Sequence, residues 1–264
     1  MKIALVTCES MPTPDKDGGA VEGALAGHAV ETVAWSADCD WSRFDVVLLR
    51  TPWDYPLHAE AFARWVDAVG DKLVNPAPVV RWNMHKAYLL ELEAKGVPIV
   101  PTRLVTRPED VRLSGDEEVV VKPAVGSGAR GAMRGPAGSL ADRTRAAVAS
   151  GALLVQPFVP EIETEGEVSL VYLGGVLSHA VRKRPRAGDY RVQAEHGGAL
   201  EDVDPTPAER RVAELACACA PGKLTYARVD IVAGKLMELE VIEPELFLRR
   251  KQGAAEALAA AVTG

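Results

Sequence analysis

Two charged, alternating stretches near the C-terminus constrain this chain more than any other feature: Arg228-Val-Asp230 and Glu238-Leu-Glu240-Val-Ile-Glu243-Pro244. Val229 and Ile231 interleave with the first set of charges, and Met237, Leu239 and Val241 with the second. That period of two marks half-buried strands. The connection is short and contains Gly234, so the pair reads as a hairpin. A three-residue loop, Ala233 to Lys235, sets Asp230 opposite Glu238 at about 5 Å between Cβ atoms. Glu240 then follows on the same face about 6.6 Å further along. A two-residue turn would carry Asp230 to the other face. Glu243 leaves the set if the strand runs on regularly. Three carboxylates on one face repel one another unless a cation sits among them, and hard divalent cations such as Mg²⁺ take oxygen ligands while also binding phosphates. A wet acidic sheet face is the plainer reading of the same residues, so the remaining chain has to decide.

With 264 residues the chain is long enough for two or three lobes. Apolar residues make up 48% and charged residues 25%, an ordinary soluble composition. A net charge of −7 has the wrong sign for a general nucleic-acid binder, so no nucleic-acid partner is expected. No apolar run approaches the length of a membrane span, so no membrane partner is expected either. The apolar start Met1–Cys8 is too short for a signal-peptide core. Cys8, Cys39, Cys217 and Cys219 fit neither a zinc knuckle nor a disulfide framework, which points to reduced thiols and a cytoplasmic location.

Residues 1–78 alternate strands and helices, the pattern of a parallel sheet with helices packed on it. Strands are expected at Ile3–Cys8, Glu31–Trp35, Val46–Leu49 and Leu73–Val74, with a helical stripe at Ala61, Phe62, Trp65, Val66 and Val69. Ligands of such sheets sit at the carboxyl ends of strands. There Arg50, Trp53, Asp54 and Tyr55 could hold a zwitterion, Arg50 taking a carboxylate bidentately and Asp54 an amine; a surface loop with a packed Trp is the alternative. Val79–Lys95 reads as one helix ended by Gly96 and Pro98, with Asn83 and Lys86 on one face.

A strand ending in Lys122-Pro123 runs into Gly126-Ser127-Gly128-Ala129-Arg130-Gly131. No helix can open well at Ala132-Met133-Arg134-Gly135-Pro136, so the glycine pattern is not a dinucleotide fingerprint. A mobile hairpin remains, able to lay backbone N–H groups over phosphates beside the point charge of Lys122. A flexible surface turn explains the glycines equally well. Leu153–Pro160 is a strand entering a proline-broken link whose extended backbone could hydrogen-bond a purine edge while Phe158 and Val155 sandwich it, or simply join two lobes. Glu161, Glu163, Glu165 and Glu167 alternate beyond it, and Gly174-Gly175 marks a hairpin. Lys183 and Arg191 lie in the basic stretch that follows.

In chain order these pieces resemble the ATP-grasp superfamily, most closely its glutathione-synthetase-like branch. The resemblance covers residues from about 45 to 250. It implies a mixed α/β and α+β architecture: a pre-ATP-grasp α/β domain over 1–78, then an ATP-grasp domain over 79–264 with a small lid lobe at about 100–155. By position, Lys86 and Lys122 match the phosphate-binding lysines, with Gly126, Ser127 and Gly128 as the covering loop. Gln156, Phe158 and Val159 match the adenine hinge, Glu167 the ribose-binding acid, and Glu163 a substitute for it. Arg191, with Lys183, matches the basic groups near the transferred phosphate. Asp230, Glu238 and Glu240 match the ligands of Mg²⁺, two ions in number, although Glu240 stands where the family commonly has Asn. The resemblance implies ATP as the nucleotide, a small amino-acid-like substrate, and an activated acyl phosphate captured by an amine; it is compatible with a homodimer. The Trp-Asp-Tyr loop, Gly166-Glu-Val-Ser169 and Ser178-His-Ala-Val-Arg-Lys183 also look like the cyclo-ligase type that closes O-ureido-serine to cycloserine. An intermolecular peptide or amino-acid ligase and a non-catalytic ATP-binding regulator are the alternative functions.

Overall fold

The computed structural model describes residues 1–11, 15–186 and 198–264. The first unit is a parallel sheet of β1 (Lys2–Thr7), β2 (Ala29–Ala34), β3 (Val46–Thr51) and β4 (Leu73–Val74), in the order β2-β1-β3-β4. β3 is buried along its whole length, as a strand covered on both faces must be. α1 (Gly18–Ala24) and α2 (Ala59–Val69) cover it, and α2 buries Phe62, Ala63, Val66 and Val69. The strand order reverses between β1 and β3, so a crevice opens at their carboxyl ends. Thr51 Oγ1 donates to Thr7 Oγ1 there at 2.8 Å.

The stretch expected as one helix is two: α3 (Ala77–Asn83) and α4 (Tyr88–Ala94). The break falls where the Lys86 N–H leaves the helix to bond the Ala124 carbonyl at 2.7 Å. Asn83 and Lys86 therefore do not share a helical face. The Asn83 amide is buried and clamps the Leu239–Val241 backbone, at 2.8 and 3.2 Å.

A second, antiparallel sheet has the order β5-β8-β6-β7: β5 (Arg103–Val105), β6 (Glu118–Pro123), β7 (Met133–Pro136) and β8 (Leu153–Pro157). α5 (Ala137–Ala147) covers one face of it, over Val119, Val121, Leu153 and Val155. Alternation sends Val120 and Lys122 to the opposite face. A one-turn helix, α6 (Glu161–Thr164), follows β8.

The third sheet is antiparallel and five-stranded, in the order β11-β10-β9-β12-β13. Its strands are β9 (Glu167–Leu173), β10 (Val176–Arg184), β11 (Ala199–Val203), β12 (Tyr226–Val232) and β13 (Lys235–Glu240). Gly174 and Gly175 make the β9–β10 turn at φ 62° and 81°, where glycine carries no side-chain penalty. α7 (Pro207–Ala218) and α4 cover one face through Val212, Ala213, Ala216, Leu89 and Leu92. The other face changes character along its length. Val171, Leu173, Val181 and Tyr226 pack under α8 (Ala254–Thr263). Glu167, Ser169, Lys183, Arg228 and Asp230 continue the same alternation into a charged end.

The β12–β13 hairpin reaches the expected register by an unexpected route. Asp230 pairs with Glu238, but the turn is the two-residue Ala233-Gly234, both at positive φ. Ile231 pairs with Leu236, so Met237 is an extra residue between two ladder rungs. This β-bulge restores the face that a two-residue turn alone would have reversed. Asn75 locks the hairpin to the first unit, donating to the carbonyls of Tyr226 and Val241 at 2.9 Å each.

Candidate active site

A cavity of about 860 Å³ lies between the two antiparallel sheets and is closed at one end by the first unit. Its walls separate by chemistry. Val120, Phe158, Val159, Ile162 and Met237 form an apolar slot, with Met237 delivered by the bulge. Gln156 lies in the same wall, but its amide is held by Thr102 Oγ1 at 2.8 Å. Gly126, Ser127 and Gly128 form a rim. Ser127 Oγ donates to the Trp53 carbonyl at 3.1 Å, and Trp53 Nε1 donates to the Glu243 carbonyl at 3.1 Å. One tryptophan thus bridges the glycine loop, the first unit and the chain beyond β13.

The floor is charged. Four cations, Lys86, Lys122, Lys183 and Arg228, meet five carboxylates, Glu167, Asp230, Glu238, Glu240 and Glu243. Lys86 pairs with Glu238, and Lys183 with Glu167 and, at 3.3 Å, with Asp230. Arg228 bridges Asp230, at 2.9 Å, and Glu240. Ser169 Oγ also donates to Asp230. Burial disfavours the Asp230 charge, but Arg228 and Lys183 outweigh it and hold the carboxyl well below the usual range. Burial likewise opposes the Glu238 charge, and Lys86 and Lys122 overcome it, so that pKa is also lowered. Glu240 goes the other way: burial, with Glu238 and Asp230 nearby, exceeds the help of Arg228 and lifts it to about 7. Burial and Glu240 push Glu243 up to about 8. Burial, then the neighbouring Lys86, pulls the Lys122 ammonium down.

Most of the expected site converges on this cavity: Lys86, Lys122, the glycine loop, Gln156, Phe158, Val159, Glu167, Lys183, Trp53, Asp230, Glu238 and Glu240. Several expected residues do not. Arg50 is buried and turns to Asp15, at 3.3 Å. Asp54 accepts from the Trp35 indole at 2.7 Å, and Tyr55 packs against Phe62 in the core of the first unit. None of these three forms the cavity wall, and Val155, expected against the purine, faces the other way and packs under α5. Glu163 is exposed and paired with Arg134 at 2.6 Å, outside the slot. Arg191 lies outside the described residues. Glu243, which regular alternation sent to the other face, belongs to the cavity wall, because β13 stops at Glu240 and alternation stops with it. Arg228 was visible beside Asp230 in the sequence, but nothing local showed that it would divide the carboxylates.

The acidic trio is not a preformed metal cluster. Among the described residues, no three His, Cys, Asp or Glu side chains are disposed to hold a metal ion. Lys86, Lys183 and Arg228 occupy the carboxylates instead. The donor chemistry still suits a hard cation. Burial first, and the neighbouring carboxylates after it, raise Glu240 and Glu243, and oxygen donors of this kind are what Mg²⁺ takes.

Comparison with known proteins decides the family. Residues 95–252 match the prokaryotic glutathione synthetase ATP-grasp domain, and residues 3–75 match the N-terminal domain of D-cycloserine synthetase DcsG. The chain belongs to the ATP-grasp family. It is an ATP-dependent, ADP-forming ligase. It is 30% identical over 253 residues to the cycloserine biosynthesis protein DcsG of Streptomyces lavendulae, covering 84% of each chain. The glutathione synthetase of Bradyrhizobium diazoefficiens is 27% identical over 212 residues, covering 76% of this chain and 66% of that one. The crystal structure of D-cycloserine synthetase DcsG superposes with a TM-score of 0.87 at 29% identity, over 99% of this chain and 98% of that one. A RimK domain ATP-grasp protein from Sphaerobacter thermophilus shares the fold, with a TM-score of 0.71 at 17% identity over the full length of both chains. ATP-grasp ligases use ATP and Mg²⁺, and the charged floor and apolar slot are consistent with both. No helix among the described residues is long and apolar enough to cross a membrane.

Proposed function

We propose that this ATP-grasp ligase closes a ring, activating the carboxylate of a small amino-acid derivative and capturing it with a nitrogen of the same molecule, as in the conversion of O-ureido-serine to cycloserine. The observation carrying this reading is that one cavity joins an apolar slot, a glycine rim, a lysine-rich floor and Trp53 of the first unit. The match of residues 3–75 to the DcsG N-terminal domain supports the same choice, because that unit supplies the closed end. Residues 1–78 act as the substrate-binding unit and about 100–155 as the lid of an ATP-grasp domain spanning 79–264.

Val120, Phe158, Val159, Ile162 and Met237 sandwich the purine, and Glu167 serves the ribose. Lys86 and Lys122 hold the phosphates under the backbone of Gly126-Ser127-Gly128. Asp230, Glu238 and Glu240 would hold Mg²⁺, two ions in number, which when bound neutralises phosphate charge. Phosphoryl transfer asks the protein mainly for positioning and charge stabilisation, supplied here by the two lysines, Lys183 and Arg191. A carboxylate is a poor electrophile; its oxygen attacks the γ-phosphate and becomes an acyl phosphate. The Ser127–Trp53 bond holds the loop against the first unit and keeps water from that labile intermediate. The ureido nitrogen of the same molecule then attacks with the advantage of proximity and phosphate leaves; water afterwards removes the carbamoyl group as ammonia and carbon dioxide.

The purified chain, given ATP, Mg²⁺ and each enantiomer of O-ureido-serine, is expected to release ADP in step with a product lighter by ammonia and carbon dioxide. Addition of an amino-acid residue instead would show intermolecular ligation. Absence of substrate-stimulated ADP release across an amino-acid and ureido-amino-acid panel would refute the reading.

A further inference from the structure

Ring closure makes a demand that the groups assigned above leave unmet. The attacking nitrogen must shed a proton as the C–N bond forms. Lys86, Lys183 and Arg228 are ion-paired cations, and Lys122 is committed to the phosphates in the reading above. Among the carboxylates, Glu167, Asp230, Glu238 and Glu240 are each engaged by a lysine or arginine. Asp15 and Glu245, also in the wall, are held by Arg50 and Arg249. Glu243 differs. Its carboxylate has no ion-pair or hydrogen-bond partner among the described residues, yet it lines the cavity.

Its position is fixed from behind. The Glu243 carbonyl accepts the Trp53 indole N–H, and Trp53 also receives the glycine loop. The free carboxylate therefore stands where the first unit, the loop and the charged floor meet. We propose that Glu243 is the general base of the second half-reaction. Its carboxylate orients the attacking N–H and takes the proton as the C–N bond forms. The bond from the carbonyl carbon to the phosphate oxygen breaks, and phosphate leaves with the electron pair. This inference rests on the ligase reading above.

The charged groups acting on Glu243 are Glu240, Glu238, Lys86 and Arg228, and their balance suits the role. Burial raises the Glu243 carboxyl above the usual carboxylate range, and a carboxylate that lines the cavity without a partner is free to take a proton.

Hydroxylamine provides the test, because its high nucleophilicity lets it attack acyl phosphates at neutral pH without a general base. The full chain is assayed with ATP, Mg²⁺ and O-ureido-serine, with and without hydroxylamine. Glu243→Gln is expected to lower ring closure by about 100-fold or more while hydroxamate formation stays within about threefold of the wild-type protein. Glu243→Asp, which keeps a carboxylate, should recover part of the ring closure and guards against misfolding of the amide variant. Equal loss of hydroxamate and ring product would place Glu243 in the first half-reaction or in folding and overturn the proposal, as would undiminished ring closure. A wild-type chain that forms neither product would instead sink the ligase reading, and this inference with it.

Discussion

Arg228→Met separates the charge of this site from its packing. Methionine keeps most of the stem volume and removes every donor. Arg228 is buried and serves three acceptors: Asp230, through Nε at 3.0 Å and Nη2 at 2.9 Å; Glu240; and, at 3.3 Å, the Glu245 carbonyl. Removing one partner of a buried ion pair costs about 3–5 kcal/mol, because the other charge is stranded. Asp230 retains Lys183 and Ser169, and the Glu240 side chain is 24% exposed, which argues for the low end. About 3 kcal/mol in a chain of this size lowers Tm by roughly 6–12 °C.

The sign of the pH dependence follows from Glu240. Its pKa of about 7 lies above its unfolded value, so it stabilises most at low pH and loses that contribution as pH rises through 7. Arg228 lowers that pKa, so the variant carries a still higher one, and its deficit widens from pH 5 to pH 8. Added Mg²⁺ should restore at least half of the pH 8 deficit by neutralising the freed carboxylates. Differential scanning fluorimetry at both pH values, with and without Mg²⁺, reads all of this. A Tm loss equal at pH 5 and pH 8 and indifferent to Mg²⁺ would show that Arg228 acts through packing, and the electrostatic account of the floor would fall.

Four further outcomes are expected. Lys122→Met should raise the KM for ATP about 10–100-fold through a lost phosphate contact, yet leave the Tm of the nucleotide-free protein unchanged or higher, since burial and Lys86 already disfavour the Lys122 charge; a large fall in Tm would contradict it. Ser127→Ala removes a hydrogen bond worth about 1 kcal/mol between the glycine loop and Trp53, so the ratio of ring product to ADP should fall several-fold through wasteful hydrolysis, measured by coupled ADP and product assays; an unchanged ratio refutes the latch. Gly166→Ala should destabilise by about 2–3 kcal/mol in denaturant titration, because φ is +83° and a Cβ would meet the Lys183 carbonyl at 2.6 Å; a neutral effect would show the turn to be pliable. Without nucleotide, the Tm gain from Mg²⁺ should grow from pH 6 to pH 8.5 as Glu240 and Glu243 lose the protons held near 7 and 8; a flat response would place the cation elsewhere.

What the sequence made legible follows from what periodicity encodes. Alternation assigns a residue to a face, so Asp230, Glu238 and Glu240 were placed on one side correctly. Alternation cannot count a bulge or see where a strand stops. Met237 therefore corrected the register by a route no local rule suggested, and Glu243 returned to the cavity once β13 ended at Glu240. Nor does alternation choose partners. Asp54 looked like an amine ligand until the Trp35 indole claimed it, and Arg50 looked like a carboxylate clamp until Asp15, 35 residues away, claimed that. Sign and face are local, whereas pairing needs the fold. Among the described residues, five carboxylates of the floor meet four cations. In the low dielectric of a closed cavity each unmatched charge destabilises the empty protein, and Glu240 and Glu243 register that cost as raised pKa values. A cation arriving with a polyanionic nucleotide relieves it, so part of the stability given up by the empty site reappears as affinity for the loaded nucleotide. An apolar repacking of Glu240 and Arg228 together should then stabilise the empty protein and weaken its binding of ATP with Mg²⁺ in the same variant; a gain in both would break the link.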